Sequence, residues 1–73
     1  MTYEQFQSLK EGEIVDYLHL VKGPHGLEIR SVNDRRKVLK KGRSHITLEA
    51  PMNASGRVRV ENHLRVDFIK EQS

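Results

Sequence analysis

Between Arg35 and Arg43, nine residues carry six basic side chains (Arg35, Arg36, Lys37, Lys40, Lys41, Arg43) and no acidic one. Such a density of ammonium and guanidinium groups attracts polyanions: it neutralises phosphates and releases their counterions. Arg57 and Arg59 alternate with Val58 and Val60, so both point outward from one strand and extend the same candidate nucleic-acid-binding patch. His45 and Arg65 flank it. Tyr17 is the one aromatic placed to stack on a base. With so few aromatic platforms, contact with an RNA or DNA backbone is expected rather than base-specific reading. A second candidate surface is acidic. Tyr3, Phe6 and Tyr17 form an apolar anchor rimmed by Glu11, Glu13 and Asp16, suited to a basic or extended protein segment.

Other chemistry finds little support. Ser8, Ser31, Ser44 and Ser55 lie outside any Gly-x-Ser-x-Gly motif, and Ser44 and His45, as neighbours on a strand, point to opposite faces. No Gly-rich phosphate loop precedes a helix. His19, His25, His45 and His63 form no His-x₃₋₅-His pair, and there is no cysteine, so neither a metal nor another cofactor is expected. The chain reads as a binding module and not as an enzyme.

Seventy-three residues allow one small domain, 1–73, with its last three residues frayed. Charge along it is polarised. Residues 1–21 balance at −3, residues 22–43 at +6 and residues 44–73 at zero, so the two ends of the molecule suit different partners. No apolar stretch approaches the roughly 20 residues that span a bilayer. The opening Met1-Thr2-Tyr3-Glu4 lacks the features of a signal peptide. The expectation is a cytoplasmic monomer without a membrane partner.

The elements that would position these residues begin with a short helix over 3–10. Thr2 caps it, Gln5 completes a capping box, Phe6 and Leu9 share one face, and Gly12 closes it. The apolar period then changes to two. Glu13 to Lys22 reads as a long strand whose apolar face switches, which calls for a bulge or bend. Lys22-Gly23-Pro24-His25-Gly26 is a turn. Leu27 and Ile29 then point inward, opposite Glu28 and Arg30. Asn33-Asp34 turns again, and the basic block forms an exposed, turn-rich region around Val38 and Leu39. Ile46 and Leu48 face the core, residues 51–56 loop, and Val58 and Val60 face inward. Asn62-His63 is a tight turn, and Leu64, Val66 and Phe68 form the last inward face, so Phe68→Ala is expected to unfold the domain. The pattern predicts a mainly β fold: a small antiparallel barrel of about five strands with a short N-terminal helix.

Gly12-Glu13-Ile14-Val15, followed by Gly23-Pro24-His25-Gly26-Leu27-Glu28, resembles the KOW motif, with its Gly-Asp-x-Val opening and Gly-Pro hairpin turn. The closing segment, Arg57-Val58-Arg59-Val60 to Leu64-Arg65-Val66-Asp67-Phe68, is similar to the last strands of such modules. The likeness covers residues 9–32 by motif and the remainder by pattern. It implies an SH3-like barrel of the kind found in transcription elongation factors and ribosomal proteins. Length, basic character and the lack of catalytic residues also resemble the phage-encoded inhibitors and antiterminators of RNA polymerase. The resemblance implies a small transcription regulator that binds host RNA polymerase and modulates initiation or termination, its basic surface facing nucleic acid. The alternatives are a standalone RNA-binding module, ribosome-associated or chaperone-like, and a protein-binding adaptor.

Overall fold

Thr2 opens the chain's only α-helix among the described residues, which are 1–69 of the computed structural model. The Thr2 hydroxyl accepts from the Gln5 amide at 3.1 Å, and the Gln5 side chain accepts from the Thr2 amide at 2.9 Å, completing the capping box. The helix, α1, is shorter than the spacing predicts. It spans Tyr3–Gln7 and is capped by Ser8. Gly12 is not its cap. With φ +93° it shapes the turn before the first strand, where its amide donates to the Val38 carbonyl.

Among the described residues seven strands follow: β1 (Ile14–Tyr17), β2 (His19–Gly23), β3 (Gly26–Arg30), β4 (Arg35–Lys41), β5 (Ile46–Glu49), β6 (Arg57–Val60) and, after a 3₁₀ turn (His63–Arg65), β7 (Val66–Asp67). The predicted strand from Glu13 to Lys22 does bend. It breaks at Leu18, whose amide donates to the Arg65 carbonyl and whose carbonyl accepts from the Arg65 Nε. Five strands form one antiparallel sheet in the order β6-β5-β4-β1-β7, and β2 pairs with β3 in a separate hairpin. The fold is mainly β with one short N-terminal helix: a hairpin inserted after the first strand, a three-strand meander, a 3₁₀ turn, and a last strand returned to the first. No ladder joins β6 to β7 among the described residues.

Alternation decides the core. Val15, Val38, Ile46, Leu48, Val60 and Val66 point to one side of the sheet, where Phe6 and Leu9 of the N-terminal segment pack on them. Each of these strands is too short to fold alone, and their shared burial supplies most of the stabilisation.

Two inward expectations fail. The hairpin β2–β3 swings off the main sheet, so the face carrying Leu20, Leu27 and Ile29 meets no core and Leu27 is 73% exposed. The hairpin's base is pinned by the Ser31 hydroxyl, which donates to the buried Asp16 carboxylate. Asp16 is therefore not part of an acidic rim. At the other end, Leu64 is taken into the 3₁₀ turn that Asn62 caps, which breaks the two-residue period. Leu64 and Phe68 are then exposed, and Val66 alone of that series is buried. The expected fraying of 71–73 lies outside the described residues. Among the described residues, no helix is long and apolar enough to cross a membrane.

Candidate nucleic-acid interface

The basic block is a strand, and the central one of the main sheet, not a turn-rich loop. Its alternation therefore sorts the charges. Arg36 shares the inward side with Val38, whereas Arg35 and Lys37 point out. Between Val38 and Lys40 the register with β5 slips: Val38 pairs with Leu48, but Lys40 pairs with Thr47. Leu39 is the extra residue of a bulge, and it shifts the phase by one. Lys40 consequently returns to the outer side while Lys41 turns inward opposite Ile46.

Across β5 the rows continue. Thr47 pairs with Arg59 and Glu49 with Arg57, while Leu48 pairs with Val58 on the core side. Lys40, Thr47 and Arg59 thus form one cross-strand row on the outer face. Arg35 and Lys37 precede it on β4, and Arg57 stands one pair along on β6. Five of the eight predicted basic site residues (Arg35, Lys37, Lys40, Arg57, Arg59) are brought to one exposed sheet face. Acidic residues share it: Glu49 stands opposite Arg57, Asp16 stands opposite Arg35 and beside Asp67, and Glu61 at the rim pairs with Arg59 at 3.0 Å. Arg43 is exposed in the β4–β5 connection, off this face. His45 does not join the patch: its ring packs on Gly42, where a Cβ would collide with it.

The other two basic residues are corrected. The Lys41 ammonium donates to the Phe6 and Gln7 carbonyls, satisfying the C-terminal end of α1 with a cation from a neighbouring strand. Arg36 is 16% exposed at its side chain. Its Nη2 and Nε reach the Asp34 Oδ2 at 2.8 and 3.0 Å, and its Nη1 donates to the Glu49 carbonyl at 3.0 Å. The His19 Nε2 lies 2.7 Å from the same Asp34 oxygen. Hydrogen bonds from Arg36, opposed by burial and reinforced by His19, hold the Asp34 carboxyl below its usual range. Arg36 and Lys41 tie the fold together and are not free to meet a phosphate.

The acidic protein-docking surface does not assemble as predicted. Phe6 is fully buried and cannot anchor a partner. Tyr3 is exposed, edge-on to His63 at 6.0 Å, while Glu11 and Glu13 lie in the turn before β1, where Glu13 accepts from the Lys10 amide. Tyr17 is half-buried and faces basic partners instead. The Arg36 and Arg65 guanidinium carbons lie 5.0 and 5.4 Å from its ring centroid.

Tyr17 also opens onto a groove of about 320 Å³, lined by Tyr17, Arg59, Val60, Glu61, Asn62 and Arg65. Val60, Glu61 and Asn62 carried no site signal in the sequence. The groove is made by the link from β6 to the 3₁₀ turn passing beside the end of β1. Among the described residues, no cluster of histidine and carboxylate side chains has metal-site geometry. Comparison of the chain with family models, curated proteins and solved structures finds no match.

Proposed function

We propose that this protein binds the sugar-phosphate backbone of RNA or DNA through the outer face of β4, β5 and β6. The observation that carries the reading is the register: the bulge at Leu39 places Lys40 in one row with Arg59, beside Arg35, Lys37 and Arg57. Lys37 and Lys40 stand opposite Ile14 and Thr47 with no acid across from them, and such a cationic face contacts successive phosphates without reading bases. Five neutralised phosphates on a single strand give a log–log salt slope of about −3.5, a loss of about 100-fold in affinity between 50 and 200 mM salt. Fluorescence anisotropy with labelled oligonucleotides measures it, and flat salt dependence overturns the reading. Lys40→Glu combined with Arg57→Glu should abolish binding at 150 mM salt. The thermal unfolding curve should stay near that of the parent, because both side chains are exposed. A protein-binding adaptor would keep its function in that variant.

A second reading adds a protein partner, the transcription machinery that the KOW-like residues suggest. What favours it is the uncovered apolar side of the β2–β3 hairpin, with Leu20, Leu27 and Ile29, a surface distinct from the basic face. RNA polymerase retained on tagged protein after nuclease treatment supports it. Retention that vanishes with nuclease leaves nucleic-acid binding alone.

A further inference from the structure

Arg59 belongs to two features at once: it ends the Lys40–Thr47–Arg59 row, and it forms one wall of the groove that contains Tyr17 and Arg65. We infer that the groove captures one unpaired nucleobase, so that the ligand of the basic face is single-stranded nucleic acid rather than duplex. The inference rests on the backbone-binding reading and sharpens its ligand class.

The chemistry of the lining supports a base. A volume of about 320 Å³ lies at the small end of ligand sites, enough for one flat group and not for a larger cofactor. Tyr17 and Arg65 both line it and lie against each other, and aromatic rings and guanidinium planes are the two surfaces on which splayed bases stack. Val60 supplies an apolar wall. The Asn62 Oδ1 already accepts from the Leu64 amide, so its amide hydrogens remain as donors beside the groove. The Glu61 carboxylate, held by Arg59, supplies acceptors. Donors and acceptors around a stacking floor suit the edge of a heterocycle. A phosphate running along the outer row would reach Arg59 and set the attached base at the groove mouth. In a duplex that base is paired and stacked and cannot enter without the cost of flipping.

The first arm of the test leaves the binding site unmutated. Tyr3 and Tyr17 are the only tyrosines and there is no tryptophan, so Tyr3→Phe leaves Tyr17 as the sole intrinsic fluorophore near the site. Three probes of equal length are compared by anisotropy and by Tyr17 emission: a single-stranded oligonucleotide, its duplex, and a fully abasic strand with the same backbone. The expected result is quenching of Tyr17 by the intact single strand, with the abasic strand and the duplex binding about 5- to 100-fold more weakly and without quenching. Tyr17→Leu, if it folds, should erase the difference between intact and abasic strands while leaving the salt slope unchanged. Equal affinity for all three probes with no quenching overturns base capture and leaves backbone binding standing. No binding to any probe overturns both. Running the set in RNA and in DNA distinguishes the sources of the base.

Discussion

Phe6→Ala is expected to unfold the protein at room temperature. Phe6 has no exposed surface and is the largest side chain in the core, donated by a five-residue helix to the open end of the sheet. Truncating a buried phenylalanine costs about 3–5 kcal/mol through lost transfer energy and the cavity left behind. A single core in a chain this short supplies about the same amount in total. Alanine is the best helix former, so helix propensity does not add to the loss. Circular dichroism and urea denaturation check the result. The paired variant, Phe68→Ala, is expected to stay folded and to shift stability by about 1 kcal/mol or less, because Phe68 is 47% exposed. If Phe6→Ala melts within a few degrees of the parent while Phe68→Ala collapses, the packing described here is wrong.

The contrast between these two phenylalanines shows how far the sequence could be read. Where strict alternation governs, Ile46 and Leu48, Val58 and Val60, and Val66 all go where a two-residue period sends them. The helix N-cap was equally legible, since the Thr2 hydroxyl and the Gln5 side chain bond reciprocally to each other's amides, whereas Gly12 does not close the helix. Errors cluster where the period is interrupted. Leu64 fits an alternating strand by spacing, but Asn62 starts a 3₁₀ turn there and the phase is lost. Leu27 and Ile29 alternate as a half-buried strand should, yet their hairpin leaves the sheet. Alternation specifies a face and not what covers it. The candidate site had both qualities. Arg57 and Arg59 were placed correctly because nothing breaks β6. Arg36 could have been read as inward from its spacing to Val38 within one strand. Lys41 could not, because its orientation depends on the Leu39 bulge. The groove is assembled from three separated segments and left no local signature.

The interior Arg36 carries the second large effect. Arg36→Ala is expected to destabilise the fold by about 2–3 kcal/mol, somewhat less than a fully buried pair because Asp34 keeps a quarter of its side-chain surface in water. The loss has several parts: two bonds to the Asp34 carboxylate, the bond to the Glu49 carbonyl, and the cation–π contact that sets the Tyr17 ring. Arg36→Lys should recover only part of it, since an ammonium cannot supply the planar fork. The Asp34 side of the pair makes the effect depend on pH. Its folded pKa is depressed, so its contribution is fully present above the ordinary carboxylate range and is lost as pH falls through the lower, folded value. The stability gap between the parent and Asp34→Asn should therefore narrow as pH falls below about 4. Thermal melts of parent, Arg36→Ala and Asp34→Asn in acid measure it, and a gap that widens as pH falls below about 4 would contradict the depressed carboxyl. Because Arg36 packs on Tyr17, Arg36→Ala should also blunt quenching of Tyr17 by a single strand while leaving the outer-face salt slope in place. The interior arginine would then govern how a base is held, and the exterior lysines and arginines how tightly the backbone is drawn in.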